Sequence, residues 1–172
     1  MHSSCEVKSG KRFLIFWGMV LFLSLVVADQ LTKYFVVANS DLLYSSPLTI
    51  IPGCMNIVTV RNTGAAWGMF HGNNVVLLTV AVIELVIFTA LFRSITEWYP
   101  ERVFGFFMIL SGIVGNSIDR IFRGSVVDFL DFYVKSWHWP AFNVADSAIC
   151  IGVTIIIFST IFRAARQSGT QG

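Results

Sequence analysis

Apolar residues fill four stretches of the chain, and most of the polar residues nearby lie at the ends of these stretches. The stretches cover residues 13–37, 75–92, 103–120 and 145–163. A helix needs about 20 mostly apolar residues to cross a bilayer, and the last two stretches approach that length only if their polar ends are helical. The pattern predicts a membrane protein that is mainly α-helical, with four transmembrane helices.

The connection between the first two stretches, residues 39–74, has a different pattern. Two β-rich runs, residues 48–51 and 55–60, flank Pro52-Gly53, a pair typical of a turn. This predicts a small extracytoplasmic β-sheet subdomain at the membrane surface. A second outer segment, residues 126–143, carries Trp137 and Trp139. Because tryptophan favours the headgroup region, we expect these two to be interfacial anchors rather than substrate contacts.

The composition agrees with a membrane protein. The 172 residues are 55% hydrophobic and only 13% charged, whereas about a quarter of the residues in a typical soluble domain are charged. The mean hydropathy is +0.72, and residues 1–172 are expected to form a single integral membrane domain. The net charge of +2 and the lack of a long basic run argue against nucleic-acid binding.

The residue types that usually hold metals are scattered along the sequence. Cys5, Cys54 and Cys150 form no CxxC pair, and the three histidines form no HExxH motif. The sequence also lacks the nucleophile elbow of the serine hydrolases and the glycine-rich loop that binds phosphates. We therefore expect neither a metal ion nor a cofactor.

Basic residues near the ends of the stretches predict the orientation in the membrane. The alternation of four spans places seven of them on one side: Lys8, Lys11, Arg12, Arg93, Arg102, Arg163 and Arg166. The other side holds five: Lys33, Arg61, Arg120, Arg123 and Lys135. Because cytoplasmic loops carry the excess of Lys and Arg, both termini are predicted to be cytoplasmic.

The first stretch has an alternative interpretation. Basic residues, an apolar run and the small residues around Ala28 are also the pattern of a secretory signal peptide with a cleavage site. However, the apolar pattern resumes at Leu31 and continues to Ala38, and three more stretches follow. A retained first helix is therefore favoured.

The alternation of spans also brings unusual polar residues to one membrane face, the outer one. Asp29 lies near the outer end of the first span, and Asp146 lies at the outer start of the fourth. Asn116, Asp119 and Arg120 lie near the outer end of the third. This gathering predicts a site at the outer interface.

Carboxylates supply the chemistry available there. Asp119, Asp128, Asp131 and Asp146 all fall near the outer ends of the third and fourth spans. Two neighbouring aspartates share one proton, so the ionised one can activate water while the protonated one polarises a carbonyl. A metal-free aspartyl hydrolase needs little more, but spacing alone does not choose the pair.

A simpler interpretation is that these residues only stabilise the fold. Asn143 would then be the N-cap of the fourth helix, and Asp119 would form a salt bridge with Arg120. That interpretation is plausible for any one residue but does not explain why the whole set lies at one face.

Glu84 lies in the middle of the second span, where an ionisable residue is a functional candidate. At 1.5 Å per residue it is roughly 14 Å below the start of the span, so we expect it to lie away from the outer carboxylates. A different class of function, a small proton-coupled transporter, would use Glu84 and Asp29. It would need carboxylates at several depths, whereas most here lie at one face. A third class is a non-enzymatic membrane subunit.

Five short motifs occur in a characteristic order along the chain. They are DQLTK at residues 29–33, NTGAA at 62–66, GNSIDR at 115–120, VDF at 127–129 and FNVAD at 142–146. Each motif is weak alone. The ordered set resembles the lipoprotein signal peptidases, also called signal peptidase II, and the resemblance covers most of the chain.

This resemblance implies an aspartic endopeptidase of the bacterial inner membrane, with four helices and an active site near the outer face. Its substrates would be diacylglyceryl-modified prolipoproteins, cleaved just before the lipidated cysteine. Membrane lipids would be its other partners, and we expect a monomer. The motifs assign Asp128 and Asp146 as the catalytic pair and leave Asp131 a structural role. The supporting positions that they imply are Asp29, Lys33, Asn62, Gly112, Asn116, Arg120 and Asn143.

Overall fold

The computed structural model describes residues 2–64 and 72–169. Six helices and four strands follow one another along these residues. In chain order they are α1 (His2–Ala38), α2 (Ser40–Ser45), β1 (Leu48–Ile51), β2 (Met55–Asn62), α3 (Asn74–Ala90), α4 (Phe92–Thr96), α5 (Pro100–Arg123), β3 (Val126–Val134), β4 (Trp137–His138) and α6 (Val144–Gly169). The predicted NTGAA motif ends outside the described residues, at Ala65 and Ala66.

Helices α1, α5 and α6 are each long and apolar enough to cross a membrane, over residues Ser9–Ala38, Pro100–Arg123 and Val144–Gln167. The prediction of a mainly helical membrane protein is therefore confirmed. The polar ends of the third and fourth stretches are helical, as their predicted lengths require. Helix α1 continues without a break through Ala28.

The second predicted span corresponds to α3, which is apolar but only 17 residues long. Leu91 ends α3, and α4 follows directly after it. At 1.5 Å per residue α3 is about 26 Å long, slightly shorter than the hydrocarbon core of a typical bilayer. The described residues thus contain three full-length candidate spans and one shorter apolar helix.

Glycines allow α5 and α6 to approach closely. A Cβ atom on Gly112 would lie 2.3 Å from the carbonyl oxygen of Ala145, and one on Gly152 would lie 2.5 Å from that of Gly105. Both distances are shorter than real Cβ atoms show, so only glycine fits without moving a backbone. This contact fixes the first turn of α6, which carries Asp146, against the middle of α5.

The predicted hairpin is present and belongs to a larger antiparallel sheet. Strands β1 and β2 pair through the turn at Pro52-Gly53, and the sheet order is β1-β2-β3-β4. The sequence interpretation treated residues 126–143 only as an outer segment and missed β3 and β4. It also missed the short helix α2, which lies within the predicted β-rich connection.

Strand β3 escaped prediction because both of its faces are covered at its start. Val126, Val127, Asp128 and Phe129 are all buried, so no alternation of polar and apolar residues marks the strand. Its Val127 and Phe129 pack with Val36 at the end of α1 and with Leu43 of α2. The sheet is thereby attached to the C-terminal end of α1, and Asp128 is carried into that junction.

Candidate active site

Asp146 lies in the first turn of α6, where Asn143 is the N-cap. The Asn143 side-chain oxygen accepts a 3.0 Å hydrogen bond from the Asp146 backbone N–H. In return, Asp146 Oδ2 accepts one of 3.2 Å from the Asn143 backbone N–H. This reciprocal arrangement is a capping box. Asp146 Oδ1 is also fixed, because it accepts a 2.8 Å hydrogen bond from the Asn116 side-chain amide.

Asp128 on β3 is held by two asparagines, one on each carboxylate oxygen. Asn143 donates to Oδ1 at 2.7 Å, and Asn62 at the end of β2 donates to Oδ2 at 3.0 Å. The pairing of β2 with β3 brings Asn62 alongside, since Asn62 is opposite Val126 and Val60 is opposite Asp128. Asn143 therefore contacts both aspartates. Its side-chain nitrogen donates to Asp128, and its capping interactions bond to Asp146.

Asp128 and Asp146 line one cavity of about 330 Å³. The other lining residues are Asn62, Gly64, Asn116, Arg120, Val126, Trp139, Pro140, Ala141 and Phe142. Polar groups thus line part of the cavity, and the apolar segment that follows β4 lines another part. A cavity with two carboxylates and a cation beside apolar surface suits a peptide whose scissile bond is polar and whose flanks are not.

The environment of Asp128 favours its protonated form. Burial, together with the neighbouring negative charge of Asp146, raises the pKa of Asp128 from its ordinary 3.8 to about 6. The hydrogen bonds from Asn62 and Asn143 and the positive charge of Lys33 act in the opposite direction but are outweighed. A pair of carboxylates in this position can retain one shared proton at mildly acidic pH.

Lys33 is fully buried and is the centre of a charge network beneath the cavity. Its ammonium group lies 2.9 Å from Asp29 Oδ2 and 3.0 Å from Asp119 Oδ2, and it donates to Asn116 Oδ1 at 3.0 Å. Arg123 is paired with Asp119 as well. Since an isolated buried charge is very costly, the two lysine-bound aspartates and the two cations stabilise one another.

This network is connected to both candidate aspartates through the backbone. Asp29 Oδ1 accepts from the Ala145 N–H at 2.9 Å, next to Asp146. Asp119 Oδ2 accepts from the Val127 N–H at 3.0 Å, next to Asp128. Lys33 therefore binds two carboxylates. Asp29 fixes the backbone beside Asp146, and Asp119 fixes the backbone beside Asp128. The alternative salt bridge between Asp119 and Arg120 is not formed, because Asp119 pairs with Lys33 and Arg123 instead.

Arg120 lies in the cavity without an ion pair to any described carboxylate. Among the described residues its guanidinium donates to two backbone carbonyls, that of Gly64 at 3.3 Å and that of Asn116 at 3.4 Å. Its buried Nε finds no hydrogen-bond partner in the described part of the chain. Both contacts are long for hydrogen bonds, so the guanidinium retains donors for a bound molecule.

Eight of the nine residues singled out by the motifs come together here: both aspartates with Asn62, Asn116, Arg120 and Asn143 at the cavity, and Asp29 with Lys33 beneath it. The ninth, Gly112, contacts the first turn of α6 instead. Asp131 lies apart, with His138 Nδ1 2.8 Å from its Oδ1 and Asn56 donating to its Oδ2. A structural role for Asp131 agrees with these contacts.

The sequence interpretation missed two parts of the site. Trp139 lines the cavity, whereas an interfacial anchor was expected, and Trp137 is not among the lining residues. The pairing of Gln30 with the network was also missed: its amide donates to the Gly115 carbonyl at 3.1 Å and accepts from Arg123 at 2.8 Å. Gln30 is part of the DQLTK motif, which was the available signal. No group of three potential metal ligands lies together among the described residues.

Comparison with known proteins decides the family. The family model described as signal peptidase (SPase) II matches residues 21–162. The chain belongs to this family. The lipoprotein signal peptidase of Geobacter metallireducens is 39% identical over 155 residues, which are 88% of this chain and 94% of that protein. The chain is accordingly a peptidase, and signal peptidase II is an aspartic type.

Two solved structures agree with this assignment. A bacterial membrane enzyme determined by the in meso method at 2.3 Å resolution matches with a TM-score of 0.76 and 30% identity, over 87% of this chain and 90% of that one. A second, determined by the same method at 1.9 Å, matches with a TM-score of 0.73 and 31% identity, over 83% and 91%. The fold described above is therefore shared with bacterial membrane enzymes over most of the chain.

Proposed function

We propose that Asp128 and Asp146 are the catalytic pair of this signal peptidase II. The observation that carries the proposal is that the two carboxylates line one cavity, with the shared-proton environment that raises the pKa of Asp128. Each carboxylate oxygen of the pair accepts a fixed hydrogen bond. Such fixed orientation is what general acid–base catalysis requires.

In the proposed reaction the ionised aspartate takes a proton from a water molecule as its oxygen attacks the carbonyl carbon. The protonated aspartate donates its proton to the carbonyl oxygen, and a tetrahedral intermediate results. When the C–N bond breaks, the pair passes a proton to the leaving amine, and one hydroxyl of the intermediate returns its proton to the pair as the new carboxyl group forms. The pair ends with one shared proton, as it began, so no other reactant is consumed.

The remaining predicted residues have supporting roles in this proposal. Asn62 and Asn143 orient Asp128, and Asn116 orients Asp146. Arg120, which retains free donors, binds a carbonyl of the substrate backbone. Asp29 and Lys33 hold the first turn of α6 and the asparagine beneath it, while Gly112 allows α5 and α6 to approach.

The proposed substrates are diacylglyceryl-modified prolipoproteins, cleaved immediately before the lipidated cysteine. The name of the Geobacter relative supports this class, and so does the apolar segment that lines the cavity of the aspartates. A signal peptide lies in the bilayer, and its lipidated cysteine is anchored at the interface. The scissile bond therefore reaches a cavity at the outer ends of the helices without leaving the membrane surface.

We further propose four spans, α1, α3, α5 and α6, with both termini in the cytoplasm of a bacterial inner membrane. The buried positions of charged residues support this orientation. Of the five basic residues assigned to the outer side, Lys33 is fully buried and Arg120 and Arg123 contact the cavity or the network. Of these five, only Arg61 and Lys135 are exposed. The bias of basic residues toward the opposite side is therefore stronger than the count along the sequence indicates.

Residues 1–172 form a single membrane domain in this proposal, and it acts as a monomer surrounded by lipid. The support is that both aspartates, their asparagine donors and the charge network come from one chain. No residue of a second copy is needed to complete the cavity.

Two matched precursors test the substrate assignment. They share one signal sequence, and only one carries a diacylglyceryl group on its cysteine. The purified full-length protein is expected to cleave the lipidated precursor before the cysteine and to leave the other intact. Equal cleavage of both precursors would contradict the lipid requirement. Cleavage at another bond would contradict the proposed cleavage site.

Thiol labelling of intact cells tests the orientation. In a Cys5→Ser, Cys150→Ser background, the exposed Cys54 at the β1–β2 turn should react with a membrane-impermeant reagent. A Ser94→Cys variant in a background that also carries Cys54→Ser should react only after the membrane is opened, because α4 is at the opposite end. The reverse pattern would invert the topology.

A further inference from the structure

Glu84 lies on a membrane helix, and its carboxylate is exposed on the surface of the described structure. Within the described residues, no hydrogen bond or ion pair joins this carboxylate to another group. An unpaired carboxylate in a membrane span is expensive and marks a functional position by default. The five-motif set does not include Glu84, so its role has to come from its surroundings.

Those surroundings are a second cavity, of about 150 Å³, between α3, α5 and α6. On α3 its lining residues, Leu77, Val80, Ala81 and Glu84, follow helical spacing along one face. On α5 it is lined by Ile113, Asn116 and Arg120, and on α6 by Ile149. Asn116 and Arg120 also line the cavity of the aspartate pair. The two cavities therefore meet at these two side chains.

The depth of Glu84 along α3 led to the expectation that it lies away from the outer carboxylates. That expectation did not consider Arg120, whose long side chain lines the same cavity as Glu84. Glu84 is one of four carboxylates whose charges act on the Arg120 guanidinium; the others are Asp146, Asp128 and Asp119. Arg120 thus lies between carboxylates on the aspartate side and a carboxylate on the α3 side.

The net charges on the two sides of Arg120 oppose each other. Asp29, Asp119, Lys33 and Arg123 form a network that is neutral in total. A pair of aspartates sharing one proton contributes a single negative charge. Arg120 therefore faces one net negative charge in its own cavity, and Glu84 is the opposing negative charge in the other.

We propose that Glu84 is a positioning residue of this enzyme: its charge draws the Arg120 guanidinium toward α3 and keeps it from forming an ion pair with Asp128 or Asp146. This inference rests on the proposed function of the aspartate pair. Without Glu84, Arg120 would turn to the pair and favour the form in which both aspartates are ionised. An opposite charge within about 4–6 Å lowers the pKa of a carboxyl group by one unit or more. The pair would then lose its shared proton at a lower pH.

The charged groups that face this arrangement are few and come from every packed element. Among the described residues they are Asp29 and Lys33 of α1, Glu84 of α3, Asp119 and Arg120 of α5, Asp128 of β3 and Asp146 of α6. Lys33 is already bound by two aspartates, whereas Arg120 has no carboxylate partner. Arg120 is therefore the cation that a change at Glu84 would move.

The test is the pH dependence of kcat for cleavage of a lipidated precursor by the full-length protein. Glu84→Gln retains the shape and removes the charge. We expect it to cleave, with its bell-shaped profile moved to lower pH by on the order of one unit. Glu84→Asp, which withdraws the carboxylate by one methylene, should move the profile less and in the same direction. Asp41→Asn removes a carboxylate from the exposed helix α2 and should leave the profile in place.

Two results would overturn the inference. One is a Glu84→Gln pH profile that coincides with that of the wild type. The other is a lower kcat with the acidic and basic sides of the pH profile unmoved, as a packing defect would give. If Glu84→Gln does not accumulate in the membrane, Glu84→Asp decides in the same way. Failure of the aspartate pair itself is a separate result, because it would appear as undiminished cleavage by an Asp128→Asn variant.

Discussion

Asn143 donates a 2.7 Å hydrogen bond to Asp128 while its own side-chain oxygen caps the helix that begins with Asp146. A single asparagine thereby fixes the relative positions of a strand residue and a helix residue. Its amide cannot be reversed without losing both bonds, because the oxygen must accept from the helix and the nitrogen must donate to the carboxylate. The geometry of the pair depends on this one side chain.

An Asn143→Ser variant separates the two roles of that asparagine. Serine remains a good N-cap, but its shorter side chain does not reach Asp128. We expect stability close to that of the wild type and kcat lower by on the order of 10²-fold, the lower end of what general acid–base catalysis contributes. Asn143→Ala should lose the cap as well and be less stable by about 1 kcal/mol. Thermal unfolding in detergent and precursor cleavage measure the two effects, and equal activity of Asn143→Ser and the wild type would contradict the role.

Lys33→Met tests the buried network. The change leaves Asp29 and Asp119 buried with too little positive charge, which is expected to cost about 3–5 kcal/mol of unfolding free energy. Lys135→Met is the matched control, since Lys135 is exposed in the β3–β4 turn and should lose almost nothing. Unfolding of the purified proteins gives the comparison. Similar stability of the two variants would mean that Lys33 does not compensate the buried aspartates.

Gly112→Ala tests the approach of α5 to α6. The added methyl group would meet the Ala145 backbone, which cannot move as a flexible side chain can, so we expect a loss of about 1–3 kcal/mol. Activity should fall too, because the displaced turn carries Asp146. Gly10→Ala places a methyl group where no atom lies within 4 Å and should cause no loss, because alanine is the better helix former. A Gly112→Ala protein with unchanged stability and activity would contradict the packing described here.

The pH dependence of stability tests the environment of Asp128. Its pKa in the folded protein lies above the ordinary 3.8, at about 6, so it stabilises the fold most below pH 3.8 and loses that contribution as the pH rises through 6. The difference in pKa corresponds to at most about 3 kcal/mol. Wild type should therefore lose stability relative to Asp128→Asn between pH 4 and pH 7. A constant difference between the two unfolding free energies across that range would contradict the raised pKa.

Local signals in the sequence predicted the local parts of the fold. The Pro52-Gly53 turn joins strands that are adjacent in the chain, so the β1–β2 hairpin was foreseeable. Strand β3 was not, because its start is buried on both faces and its partner β2 lies far away in sequence. The same distance explains why spacing could not separate Asp128 from Asp131. Only the strand register places Asp128 beside Val60 and Asp131 beside Asn56.

In the candidate site, too, contacts between residues close in sequence could be predicted and contacts between distant residues could not. Asn143 and Asp146 are three residues apart, and a helix start predicts their reciprocal bonds. By contrast, Lys33 and Asp119 come from different helices, and neither residue alone indicates the other. Glu84 was judged by its depth in the span, a measure that ignores the reach of an arginine side chain. Long side chains and non-local pairing set the limit of what the sequence could predict.

Single-turnover cleavage of a lipidated precursor by Asp128→Asn and Asp146→Asn proteins tests most directly whether these two aspartates are the catalytic pair. Asp131→Asn is the control, because Asp131 lies on the same strand as Asp128 and pairs with His138 outside the cavity. We predict that both variants of the pair insert normally and lose cleavage, while Asp131→Asn cleaves at the wild-type rate. Wild-type cleavage by either Asp128→Asn or Asp146→Asn would contradict it.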